Sequence, residues 1–148
     1  MTVGVTILEV EAEGPLPAEL PRADLVLVDA PCSGLGTLRR NPELKGRYSE
    51  DDVAAFSRQQ RGILERFADL VKPGGRLAYV TCSLLRQENE AVAEAFSEAH
   101  PDFEPSPSEW AAARLPPACL DGHVVRLDPV RSETDGFFLA MWRRSQEP

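Results

Sequence analysis

Two cysteines are set apart by their neighbours. Cys32 lies in Asp29-Ala30-Pro31-Cys32-Ser33-Gly34, and Cys82 lies in Thr81-Cys82-Ser83. A thiol that ionises is a nucleophile, a metal ligand or half of a redox couple. A thiol that stays protonated is a small buried hydrophobe, which is the commoner fate of a single cysteine. Both readings stay open for this pair at this point. A zinc centre is the poorer alternative: Cys119 falls in an irregular stretch, His100 and His123 are the available imidazoles, and no Cys-x-x-Cys pair exists. The same missing spacing counts against a dithiol couple. No metal site is expected. Asp29 has its own plain reading as an acid capping a strand end.

The elements that must position these residues follow from hydrophobic periodicity. Residues 5–10, Val-Thr-Ile-Leu-Glu-Val, suit a strand. Pro15, Pro17 and Pro21 then forbid a regular element. Residues 25–28 form a continuous apolar run between Asp24 and Asp29, as expected of a strand buried on both faces of a parallel sheet. Residues 30–48 carry loop chemistry, with Pro31, Gly34, Gly36, Pro42 and Gly46. Ser49 and Asp52 make a capping-box-like start, and the spacing predicts a helix over 50–71 that stops at Lys72-Pro73-Gly74-Gly75. A strand over 76–81 and a helix over 88–99 come next, with Pro101 ending the helix. Residues 103–120 show no regular pattern. Strands over 124–127 and 137–142, joined by a polar turn through Asp135-Gly136, complete the chain, and one of Phe137 and Phe138 is expected in the core.

This alternation argues for an α/β sheet with an antiparallel hairpin at its C-terminal edge. In such sheets ligands bind beyond the carboxyl ends of the strands. Cys32 and Cys82 each follow a strand, so they are expected side by side over one crevice.

Composition bounds the rest. A chain of 148 residues supports one core. Hydrophobic residues make up 43% and charged residues 27%, so disorder does not describe it. There is no membrane-length apolar run and no signal-peptide pattern, and three cysteines fit no disulfide framework. A reducing cytoplasmic location is expected. The net charge of -8 argues against nucleic-acid binding by bulk field. The one dense basic segment contains Arg39, Arg40, Lys45 and Arg47, offset by Glu43. It is either a solvated loop or a phosphate contact.

At these residues the sequence resembles a known family. Residues 29–37, Asp-Ala-Pro-Cys-Ser-Gly-Leu-Gly-Thr, are similar to motif IV of the RNA cytosine-5 methyltransferases of the Sun/Fmu family. Arg39-Arg40-Asn41-Pro42-Glu43-Leu44-Lys45 continues the likeness, as do Lys72-Pro73-Gly74-Gly75, Thr81-Cys82-Ser83 with Glu88-Asn89-Glu90, and Asp135-Gly136-Phe137-Phe138. The resemblance covers residues 24–142 and implies an incomplete Rossmann-like class I methyltransferase sheet, the catalytic half of one domain occupying 1–148. It implies S-adenosyl-L-methionine as cofactor and RNA, ribosomal RNA above all, as substrate.

Carbon 5 of cytosine is a weak nucleophile, and a thiolate added at carbon 6 turns the ring into an enamine-like species that attacks a methyl sulfonium. By resemblance, Cys82 is that nucleophile and Cys32 assists release of the methylated RNA. Asp29 addresses the base near its ring nitrogen, which calls for a carboxyl desolvated enough to donate a hydrogen bond, and with Pro31 it faces the cofactor. Arg39, Arg40, Lys45 and Arg47 hold RNA phosphates.

The family's glycine-rich strand-turn-helix, which cradles the cofactor, is not found upstream of Asp29. Glu11-Ala12 is at most a loose stand-in for the acidic dipeptide on the adenosine side. The cofactor site is therefore expected to be incomplete, the chain to be truncated at its N-terminus, and its activity alone to be weak. A different class of reading is a non-catalytic remnant acting as a binding or assembly module. In the resembled fold the strand order is 3-2-1-4-5-7-6, and the strands that would separate residues 5–10 from residues 25–28 are not in the sequence. Residues 5–10 are therefore expected either to fill the slot beside 25–28 or to pair with another chain, making a homo-oligomer through the sheet edge.

Overall fold

Although residues 25–28 are all apolar, only alternate side chains are covered in the computed structural model, which describes residues 4–11 and 14–146. In β1 (Ala23–Asp29), Val26 and Val28 are buried, while Leu25 and Leu27 are 54% and 61% exposed. The expectation of burial on both faces is thus corrected. Helices α1 (Glu50–Ala68) and α2 (Glu90–Ala99) pack against each other, and α1 lies on β1 and β2 (Val71–Thr81). The core lies on one face: Val26 and Val28 continue through Leu77 and Tyr79 of β2 to Trp142 and Ala140 of β6 (Phe137–Arg144).

The sheet runs β1-β2-β6-β5-β4, with β5 spanning Val124–Leu127 and β4 spanning Leu120–Asp121. β1 and β2 are parallel, and β2–β6, β6–β5 and β5–β4 are antiparallel, so the C-terminal hairpin is present as expected. The region expected to be irregular holds β3 (Phe103–Pro105), paired with β6, and a single turn of helix, α3 (Glu109–Ala112). Gly122, with φ 58°, opens the two-residue β4–β5 turn, a position that favours glycine.

Local chemistry sets the boundaries. Ser49 accepts from the Asp52 N–H, and the Asp52 carboxylate accepts from the Ser49 N–H, completing the capping box at the start of α1. α1 ends at Ala68, earlier than expected, because Val71 already pairs with Ala23. Residues 72–75 bulge out of β2 before pairing resumes at Leu25–Arg76, and Gly74, at φ 75°, makes that excursion possible.

The expected strand over 5–10 is not formed: described residues 4–11 lie in no strand, and Val5, Ile7 and Leu8 are exposed. The slot beside β1 is therefore not filled by this segment. The outer edge of β1 is unpaired among the described residues. Ala12 of the Glu11-Ala12 pair lies outside the described residues.

Candidate active site

Parallel pairing of β1 with β2 aligns Asp29 with Val80, so both chains leave the sheet at the same end. Ala30 donates its N–H to Val80 O at 3.0 Å, which keeps the two exits together. The sulfurs of Cys32 and Cys82 are consequently 3.2 Å apart, and both residues are half-buried. The expected juxtaposition of the two strand-end thiols is present. Burial, and then the hydrogen bond to Cys82, push the Cys32 thiol from 9.0 up to about 12.

Beneath the thiols lies a carboxylate that periodicity did not single out. Glu88 is fully buried. Its Oε1 accepts from the Ser33 N–H at 2.8 Å and from Gln60 Nε2 at 3.1 Å. Its Oε2 accepts from the hydroxyls of Ser33 and Ser83, each at 2.5 Å. Gln60 Nε2 also donates to Pro31 O at 2.9 Å. Asn89 holds the second loop: its Oδ1 accepts from Thr81 Oγ1 at 2.5 Å, and its Nδ2 donates to Ser83 O at 2.9 Å. A sequence signal existed for Gln60, a polar residue on the stripe Ser57, Gln60, Leu64 and Ala68 that α1 buries.

Gly36 and Gly136 join a third loop to this pair. Gly36 donates to Cys82 O at 2.8 Å, and Gly136 donates to Gly36 O at 2.7 Å. A Cβ on Gly36 would meet Gly136 O at 2.2 Å. The close approach that Gly36 permits is thus to this chain's own backbone. Gly136 likewise serves contact, since the β5–β6 connection runs over residues 128–136 and Asp135-Gly136 is not a tight hairpin turn.

The remaining candidates are dispersed. Asp29 and Pro31 are exposed at the end of β1, so the desolvation expected around Asp29 is not supplied by the described residues. Arg39 and Arg40 both pair with Asp135, through Nε to Oδ1 at 3.6 Å for Arg39 and by a hydrogen bond to Oδ2 for Arg40. Lys45 and Arg47 are exposed on the same loop. Among the described residues no group of His, Cys, Asp and Glu forms a metal site.

For S-adenosyl-L-methionine the described residues supply at most one wall. Asp29 and Pro31 stand exposed, no glycine-rich turn flanks them, and the space at Gly36 is taken by Gly136. These residues alone do not fit the cofactor.

Residues 3–143 match the family described as 16S rRNA methyltransferase RsmB/F. The probable ribosomal RNA small subunit methyltransferase B of Bacillus subtilis is 42% identical over 150 residues, covering 96% of this chain and 33% of the relative. The ribosomal RNA small subunit methyltransferase B of Thermus thermophilus is 42% identical over 123 residues, covering 83% of this chain and 30% of that protein. Among solved structures, NSun6 from Pyrococcus horikoshii with SFG superimposes with a TM-score of 0.69 at 27% identity, covering 86% of this chain and 31% of the other. A methyltransferase homolog from the same organism gives 0.65 at 32% identity, covering 84% and 40%. The chain spans about a third of the length of the curated relatives it matches.

Proposed function

The chain belongs to the RsmB/F family of 16S rRNA methyltransferases, and from that premise we propose that it carries the thiol half of an RNA cytosine-5 methyl transfer. The observation that carries this reading is the 3.2 Å separation of the Cys32 and Cys82 sulfurs at the carboxyl ends of two adjacent parallel strands.

In this mechanism Cys82 adds as thiolate to carbon 6 of an unstacked cytosine, and the electron pair moves to carbon 5. S-adenosyl-L-methionine, when bound, supplies a methyl sulfonium; the NSun6 relative was solved with SFG, an analogue of it. Once carbon 5 has spent that pair on the methyl group, whose donor would leave as a neutral thioether, loss of the carbon-5 proton frees the C–H pair to re-form the double bond and expel Cys82 as thiolate. Cys32, beside the leaving sulfur, assists that release, and the raised pKa of its thiol suits a group that keeps its proton at neutral pH. Asp29 addresses the base and, with Pro31, would form one wall of a cofactor site whose other walls lie outside the described residues. Lys45 and Arg47 hold phosphate, with Arg39 and Arg40 joining them when RNA competes with Asp135. Ribosomal RNA is the proposed substrate, in keeping with the names of the relatives.

Addition of Cys82 alone makes carbon 5 basic, so it exchanges its hydrogen with solvent even without a methyl donor. The chain is expected to incorporate deuterium at cytosine carbon 5 of 16S rRNA in heavy water, read by mass spectrometry of the nucleosides. Cys82→Ser is expected to abolish the exchange. Cys32→Ala is expected to slow elimination, giving a protein–RNA adduct that survives denaturation. Absence of exchange above the Cys82→Ser background would sink the proposal.

A further inference from the structure

Burying a carboxylate is costly unless hydrogen bonds satisfy its lone pairs. Glu88 is 0% exposed and meets this demand with donors drawn from three places: the Cys32 loop, the Cys82 loop and α1. Each contact sits one residue from a cysteine or one removed through Gln60. Ser33 follows Cys32, Ser83 follows Cys82, and Gln60 ties Glu88 to the carbonyl of Pro31, which precedes Cys32. The hydroxyls of Ser33 and Ser83 converge on the same oxygen, Oε2, and lie 3.3 Å from one another. The two loops are 50 residues apart in sequence and meet through this atom.

We propose that Glu88 is the positioning residue that fixes the separation of the Cys32 and Cys82 thiols. Its importance to catalysis rests on Cys82 and Cys32 being the working pair, but the separation it sets can be measured without that reading. A carboxylate suits the role because all four groups around it donate. Glutamine is the conservative substitute: its oxygen can still accept from Ser33 N and Gln60, and its NH2 can be received by the two hydroxyls once they turn. Alanine leaves the donors unmet and removes the carboxylate tie, so that Gly36 N–H to Cys82 O is left to hold the loops together.

The test reads thiol spacing by disulfide closure in the whole chain, in a Cys119→Ser background. Diamide takes up the Cys82 thiolate across its N=N bond, and the Cys32 sulfur then displaces the substituted hydrazine. One S–S bond forms, and the two thiol hydrogens and two electrons end on the hydrazine. Mass spectrometry follows the loss of two hydrogens from the protein, at a temperature where circular dichroism shows each variant folded. Closure is expected to slow by about tenfold or more in Glu88→Ala, because a small misplacement of paired reactive groups costs that much. Glu88→Gln is expected to restore most of the rate, and Ser83→Ala to fall between.

A folded Glu88→Ala chain closing at the native rate would overturn the proposal. If Glu88→Ala does not fold, Ser83→Ala decides in its place: slowed closure supports the strap, and native closure overturns it. Slowed closure in Glu88→Ala with no carbon-5 exchange in the native chain sinks the methyl-transfer reading and leaves the spacing role standing. Normal exchange with unaffected closure in the variants does the reverse.

Discussion

Of the two thiols, Cys32 holds its proton. With its pKa pushed up to about 12 by burial and by the bond to Cys82, its thiolate is a minor species at pH 8. Nucleophilic labelling in the native state therefore belongs to Cys82, since Cys119 is buried. Limited iodoacetamide treatment followed by peptide mapping is expected to modify Cys82 first, and equal labelling of Cys32 would contradict this. The same shift has a stability consequence. The folded pKa lies above the ordinary 9.0, so this contribution is full below about pH 9 and is lost as pH rises toward 12. Cys32→Ser is expected to show a shallower loss of urea stability across that alkaline window than the native chain. The two cysteines were legible in the sequence because strand ends in α/β sheets converge. Glu88 was legible only as part of a motif, because no periodicity tells a buried glutamate from a solvated one.

Three loops meet at the site, and two glycines set how closely they approach. Gly36 faces Gly136 O and Cys82 O at distances that leave no room for a Cβ, and a Cβ on Gly136 would meet Gly36 Cα at 2.8 Å. Forcing a methyl group into such a contact typically costs ~1–3 kcal/mol. Gly36→Ala is expected to lower stability by at least that range in urea unfolding and to slow Cys32–Cys82 closure. A Gly36→Ala chain of native stability would mean the loops are not locked there. Elements of several turns or residues were readable: α1, α2, β2 and β6 have enough length for a period to show. β3 and β4 have three and two residues, too few for alternation, so residues 103–120 gave no pattern. The expected strand over 5–10 failed for a different reason: β-branched composition marks a segment able to pair, and pairing needs an edge that reaches it. The error on β1 was similar, since an apolar run states what a strand tolerates and not what covers it.

At the scale of the molecule, the exposed edge and the acidic charge oppose one another. Among the described residues β1 pairs on one side only, and Leu25 and Leu27 stand exposed on the face away from α1. An unpaired edge with apolar neighbours is a template for pairing with another chain. Residues 4–11 do not fill that edge, so for this chain taken by itself a second copy is the expected occupant. A net charge of -8 makes two copies repel, and salt screens that repulsion without weakening apolar burial. Association is therefore expected to rise with ionic strength, the opposite of what ion pairing across the contact would give. Sedimentation velocity at low salt and at about 1 M, where the screening length is ~3 Å, separates the two cases. Leu27→Lys puts a charge on the exposed face and is expected to keep the chain monomeric in both conditions while leaving its thermal transition in place, because Leu27 is outside the core. A native chain that is monomeric at every salt concentration would remove the edge as a self-pairing surface.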